Sequence, residues 1–261
     1  MITYTFDVRE LEFFLLILMR MASFIFAAPF FSMNNVPRRV RTALAIFTSI
    51  LIYSALETPH EIPYDSVWSY GALVIREVLV GVMLGACANM CITATAFAGH
   101  IIDMNIGLSM VSLLDPATRE QVTFSGAFYN YFYTLILIAS GLYRYLLKAL
   151  VDTYTLIPLG QAVFRTEKLL NATILFMADY LMIGFEIALP VLVTILILNS
   201  LLGIMAKTAP QMNMFSVGMQ IKIFVGLTVL LFTVYMMPRY SDLVFREIRA
   251  IMVKYVEALM P

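Results

Sequence analysis

The sequence predicts an all-α integral membrane protein made of long, kinked helical hairpins. Hydrophobic residues fill 61% of the 261 positions and charged residues only 13%, where a soluble domain is nearer half apolar and a quarter charged. Mean hydropathy is +0.88. The apolar residues also fall into runs long enough to cross a bilayer, each closed by proline, glycine or a small knot of charge. The 17 basic and 17 acidic residues balance, so charge argues for neither a nucleic acid nor an acidic substrate.

The first apolar run, 13–31, is long enough to span; it carries Arg20 and closes at Pro29. Asp7, Arg9, Glu10 and Glu12 precede it, and no small-residue cleavage site follows a basic start, so no removable signal peptide is expected. A breaker-rich link, 32–37, leads to Arg38, Arg39 and Arg41. The second run, 42–56, is short for a full crossing. Loop 57–66 then carries Glu57, Glu61 and Asp65 with two prolines and no Lys or Arg. By the positive-inside rule the arginines face the cytoplasm and this loop faces out.

Residues 67–98 form a very long apolar stretch with Arg76-Glu77 inside it. Gly81 and Gly85 have the small-xxx-small spacing that lets helix backbones approach closely. Cys87 and Cys91, four apart with no further cysteine, are expected to pack in the apolar interior and not to ligate metal. The run 124–150 is aromatic and apolar and ends near Arg144 and Lys148; a polar connection, 151–168, follows. Region 171–205 holds Asp179, Glu186 and Pro190 and reads as a helix bent near its proline. After the polar tip 207–211, run 214–237 carries Lys222 and is expected to stop at Pro238. In the tail, Val244, Ile248, Ile251, Tyr255 and Leu259 share one face, as in an amphipathic helix lying on a membrane or a partner.

One stretch stands apart. Residues 97–123 mix large apolar side chains with Gly99, His100, Asp103, Asn105 and Gly107, which are expected to interrupt the preceding helix, and with a turn or helix start at Asp115-Pro116-Ala117-Thr118. An ordinary water-exposed loop is one reading. The other follows from lipid: irregular backbone there persists only where protein covers it or where it lines a water-filled path. The stretch also leaves the topology open. If 97–114 crosses, the basic connection and tail fall inside as the charge rule asks, yet it makes a poor span.

The candidate chemistry is sparse. His60 and His100 are the two histidines; His100 and Asp103, three apart, can share a helical face. No zinc-protease, nucleophile-elbow, Walker or dinucleotide signature occurs, which leaves an enzyme without a constellation. Intramembrane charge is more informative: Arg20, Arg76, Glu77, Asp179, Glu186, Lys207 and Lys222 lie in or beside apolar helices. A charge at the bilayer centre costs about 2.5–3.5 kcal/mol on insertion scales. Such residues line a path, pair across interfaces in an assembly, or snorkel from helix ends as Lys207 can.

Several local patterns combine along the chain. Pro29 precedes Val36-Pro37-Arg38-Arg39-Val40-Arg41; Arg76-Glu77 precedes Gly81 and Gly85; Gly99 leads through Gly107-Leu108 to Asp115-Pro116. Asn199-Ser200-Leu201-Leu202-Gly203 stands before Ala209-Pro210-Gln211-Met212-Asn213-Met214-Phe215, followed by Gly218 and Gly226-Leu227. A Pro-Gln-x-Asn-x-Phe tip between two long apolar helices is an unusual combination. With these motifs the chain resembles, over nearly its whole length, the FliR family of flagellar export gates and its injectisome counterparts. It departs at Met219-Gln220, where that family has an aromatic residue followed by proline.

The resemblance implies a FliP-like part over 1–168 and a FliQ-like hairpin with its amphipathic C-terminal helix over 169–261. It further implies a bacterial inner-membrane protein of the flagellar basal body, without cofactor or metal, and with no nucleic acid among its partners. One copy would join several FliP and FliQ subunits in a helical spiral, with FlhB at the cytoplasmic entrance and FlhA as a further partner, and would conduct unfolded export substrates. A loop near 107–121 would plug the closed pore through Gly107, Met110, Leu113, Leu114, Asp115 and Pro116. Arg76, Glu77, Glu186, Pro210, Gln211, Asn213, Phe215 and Lys222 are the expected subunit-interface residues. The competing reading is a stand-alone secondary transporter using Asp103, Glu186 and Lys222 as coupling charges, stable and active without partners.

Overall fold

A computed structural model of the chain describes residues 8–29, 31, 36–56, 64, 66–109, 123–211 and 213–261. All regular structure among them is helical: α1 (Val8–Ala27), α2 (Arg38–Ala55), α3 (Val67–Ile106), α4 (Phe124–Ser140), α5 (Leu142–Leu156), α6 (Thr166–Thr208), α7 (Met214–Thr233) and α8 (Met237–Leu259), with a 3-10 turn at Val234–Met236 between the last two. Among the described residues three segments are long and apolar enough to cross a membrane, α3, α6 and Phe215–Leu259; α4 with α5 makes a fourth if the two form one broken span.

The described chain divides into two compact units. The first comprises Met1–Met90, Gly141–Phe176 and Ile248–Pro261; the second comprises Cys91–Ser140 and Met177–Glu247. In the first unit α1 buries Phe13, Leu16, Ile17, Arg20, Met21, Phe24 and Ile25, a stripe at helical period interrupted by one arginine. Gly81 and Gly85 of α3 meet this helix. A Cβ on Gly85 would lie 2.8 Å from the Ala27 Cβ and from the Phe24 carbonyl oxygen. The small-residue spacing read from the sequence therefore serves the α1–α3 contact. Cys87 and Cys91 are buried, in line with the expected apolar packing.

Helix α3 departs from expectation at its far end. It runs without a break through Gly99, His100, Asp103 and Asn105 to Ile106, about 60 Å at 1.5 Å per residue. The polar side chains do not interrupt it because each finds a partner. His100 Nδ1 lies 2.8 Å from the Ala96 carbonyl oxygen, and Asn105 Nδ2 donates to that of Ile101 at 2.8 Å. Only Gly107 turns the chain, with φ +97°, a backbone region other residues rarely enter.

Two further breaks lie elsewhere than the sequence suggested. The run 124–150 divides at Gly141, whose φ is +71°. Pro238, expected to end a helix, instead stands second in α8, a first-turn position that its fixed φ suits. Pro190 is carried within α6.

The tail helix is the main correction. Its apolar face, Val244, Ile248, Ile251, Tyr255 and Leu259, is buried, so the chain itself covers the surface expected to rest on a membrane or partner. Tyr255 Oη lies 2.8 Å from Thr173 Oγ1, Val163 N donates to the Leu259 carbonyl at 3.1 Å, and Arg249 sits over the Tyr145 ring at 4.6 Å.

Candidate functional site at the loop base and the buried ion pair

Two polar sites lie inside the apolar helices, one in each unit. The first joins the end of α3 to the start of α4, on either side of the stretch expected to carry the plug. Asp103 is 1% exposed. One of its carboxylate oxygens accepts from the Ser125 backbone N–H at 3.0 Å, and the other accepts from the Ser125 hydroxyl. Ser125 is the second residue of α4, where backbone donors lack helical partners, so Asp103 caps this helix from a neighbouring one. Thr123 Oγ1 adds a local cap, accepting from Gly126 N at 3.3 Å. A negative charge at a helix N-terminus also suits the helix dipole.

Such a cap requires near backbone contact. A Cβ on Gly99 would overlap the backbone of Gly126, so the helices cross where both are glycine. Gly107 turns the chain one helical turn beyond Asp103. Met110, Leu113, Leu114, Asp115 and Pro116 lie outside the described residues.

The capping role predicts a measurable loss. Asp103→Ala should destabilise the protein by roughly 1–3 kcal/mol, since it leaves two buried donors unsatisfied, and Asp103→Asn, which keeps an acceptor, should lose less. Thermal unfolding in detergent reads this directly. Equal stability of Asp103→Ala and the unaltered protein would remove the cap from the account.

The sequence paired Asp103 with His100. The structure separates them: His100 is exposed and turned to its own helix, while Asp103 is buried against α4. Ser125 had drawn no notice. The available signal was a threonine and a serine two apart at the head of an apolar run, a helix-start pattern.

The second site is a buried clasp of α1, α3 and the end of α5. Arg20 and Glu77 are both 0% exposed. Arg20 Nε donates to Glu77 Oε2 at 2.5 Å, and Arg20 Nη1 donates to the carbonyls of Thr153 and Ile157 at 3.2 and 3.0 Å. Glu77 Oε1 accepts from Gly160 N at 2.7 Å. The guanidinium thus meets the last carbonyls of α5, where cations are favoured, and the carboxylate pins the turn beyond. The Tyr154 ring lies 4.6 Å below the guanidinium carbon and its hydroxyl donates to the Ile17 carbonyl at 3.0 Å. The buried pair is supported by four hydrogen bonds, as a buried charge requires, while Arg20 Nη2 is buried with no partner among the described residues.

Other residues expected at interfaces are placed as follows. Arg76 is exposed although its neighbour Glu77 is buried, because successive helical positions point about 100° apart. The described partners of Glu77, Arg20 and Gly160, are in this chain. Glu186 is exposed on α6 and Lys222 is half-buried on α7. Pro210 and Gln211 are exposed in the turn between these helices. Asn213 is the N-cap of α7, its side chain accepting from Ser216 N at 3.4 Å, and Phe215 is 73% exposed.

The sequence profile of the bacterial export proteins, family 1, matches residues 11–248. The chain is 31% identical over 220 residues to the flagellar biosynthetic protein FliR of Bacillus subtilis, covering 84% of each chain. It is 27% identical to that of Escherichia coli, covering 88% of this chain and 87% of the relative. To that of Aquifex aeolicus it is 28% identical, covering 81% of each. The profile takes in both polar sites, the loop between α3 and α4, and the α6–α7 tip. The chain belongs to the bacterial export proteins, family 1.

Proposed function

We propose that this protein is a non-enzymatic structural subunit of the flagellar type III export channel in the bacterial inner membrane. The observation that carries this reading is the family match over residues 11–248, together with relatives named as flagellar biosynthetic proteins. As a component of the flagellar export apparatus, the chain would stand as one copy among several FliP and FliQ subunits in a helical spiral. FlhB and FlhA would lie nearby and unfolded substrates would pass through the pore. The FliP-like and FliQ-like parts, 1–168 and 169–261, divide the chain by likeness to those subunits.

The outer surface supports a subunit role. Along α6 the exposed residues include Leu181, Phe185, Leu189, Val193 and Leu196, and on the same helix a Cβ on Gly203 would meet nothing within 4 Å. Small residues on an open apolar face allow a neighbouring helix to approach closely. Arg76, Glu186, Lys222, Pro210, Gln211, Asn213 and Phe215 are the proposed meeting points, while Glu77 is engaged within the chain by Arg20 and Gly160. In the closed state the loop near 107–121 fills the pore: Gly107 turns it inward, Met110, Leu113 and Leu114 seal against ions by dewetting, and Asp115-Pro116 ends it. The transporter alternative loses support, since Asp103 has both carboxylate oxygens engaged as a helix cap.

The experiment is co-expression with FliP and FliQ, extraction in mild detergent, native mass measurement, and conductance in planar bilayers. A single copy in a much larger complex is expected. Deleting Leu113 and Leu114 should leave that mass unchanged and raise the conductance of the closed complex. A stable monomer indifferent to those neighbours would refute the subunit role; background conductance after the deletion would refute the plug.

A further inference from the structure

The arginine-rich start of α2 is used neither by the two polar sites nor by the export reading. We infer that it binds the headgroup of an anionic phospholipid, whose acyl chains lie along the exposed face of the same helix.

The first part of the argument is charge. Arg38 and Arg39 are exposed and Arg41 is half-buried at the head of an 18-residue helix with no acidic residue in its first turn. Among the described residues neither Arg38 nor Arg39 has an ion-pair partner. Pro37 provides no side-chain cap, and the first bonded backbone donor of the helix is Val40 N, 2.9 Å from the Pro37 carbonyl oxygen. Cations at a helix N-terminus oppose its dipole. An anion there reverses the balance, because guanidinium forks and the backbone N–H groups of a helix N-terminus both suit phosphate oxygens.

The second part is the face below the charge. Stepping by four, three and four residues from Arg39 passes Ala43, Ile46 and Ile50, one stripe along the helix. All four are exposed, and Phe47 and Leu51 beside them are 60% and 52% exposed. The helix buries only Ala45, Ser49 and Ile52. From Arg39 to Ile50 the rise is about 16 Å, the depth of one leaflet of a ~30 Å hydrocarbon core. Phe26 of α1 lies 6.0 Å from the Arg41 guanidinium and extends the apolar wall beside the charges. A headgroup-high cationic cluster with one leaflet of apolar surface beneath it matches a phospholipid. A free phosphate has no use for the stripe.

The test uses the full chain, alone or in its native complex, in a neutral detergent. Retained lipid is counted by native mass spectrometry after equilibration with phosphatidylglycerol, phosphatidylcholine, or glycerol phosphate as a headgroup without chains. Phosphatidylglycerol should be retained in preference to phosphatidylcholine. Arg38→Gln with Arg39→Gln should lower its retention by roughly ten- to thirty-fold, from two lost headgroup contacts, while phosphatidylcholine stays unchanged. Phe47→Ser with Ile50→Ser, leaving every arginine in place, should also lower it several-fold. Arg246→Gln, an exposed cation on α8, should have no effect. Retention unmoved by both double variants overturns the inference. So does glycerol phosphate binding as tightly as the lipid, or loss of an acidic protein partner with lipid binding intact. Because the channel reading does not enter the argument, its failure would leave this result standing.

Discussion

Arg20→Ala is expected to destabilise the protein by about 3–5 kcal/mol, because it leaves the Glu77 carboxylate buried without its cation. The loss has a pattern that separates it from a simple cavity. Arg20 Nη1 also serves the Thr153 and Ile157 carbonyls, so the end of α5 should fray in the variant and the turn through Gly160 should loosen. Removing both charges should do less harm than removing one. Arg20→Met combined with Glu77→Gln retains much of the volume and keeps an acceptor for Gly160 N, and it should be more stable than Arg20→Met alone. The measurement is thermal unfolding in detergent over the four-member cycle, with hydrogen exchange at 153–160 as the local readout. Coupling below about 0.5 kcal/mol, the level of independent sites, would show that the pair does not hold this unit together.

Gly99→Val should rank next. Its Cβ would overlap the backbone of Gly126, and a backbone atom cannot rotate away as a side chain can. The α3–α4 crossing must therefore open, at about 3 kcal/mol or more, the upper end of what overpacking costs. Opening it also pulls Ser125 away from Asp103, so the steric and capping losses should couple. Gly99→Val and Asp103→Ala together should cost less than their sum, because the first has already broken the bond the second removes. Strict additivity would show that the crossing and the cap are independent. A second glycine test gives contrast: Gly71 has nothing within 4 Å of its would-be Cβ, so Gly71→Ala should be neutral or slightly stabilising.

Much of the fold was legible because hydrophobic patterning is a local property. The long apolar runs became long helices, and Pro29 lies just beyond the end of α1. Gly81 and Gly85 marked a close approach, and the Pro210–Phe215 motif marked the turn between α6 and α7. The family was legible for the same reason, since its motifs are short strings read along the chain. Where the local reading failed, it counted polar residues as breaks without asking whether they had partners. His100 and Asn105 bond to carbonyls four residues earlier on their own helix, so α3 continues to Ile106.

By itself, then, the sequence determined that this is an apolar helical protein, that a turn falls at the Pro210–Phe215 tip, and to which family it belongs. Only the tertiary structure decided which charges meet. Arg20 and Glu77 are 57 residues apart, and Asp103 and Ser125 are 22 apart; nothing in the spacing of either pair distinguishes it from Arg76 or Glu186, which remain exposed. The same holds for the tail, whose apolar face was plain in the sequence while its covering was not. The physical reason is register. Periodicity fixes which face of a helix is apolar, but the rotation and offset of one helix against another set which polar atoms come within 3 Å. That offset follows from contacts such as those at Gly85 and at Gly99–Gly126, where the absence of a side chain on one helix matters only beside the backbone of another.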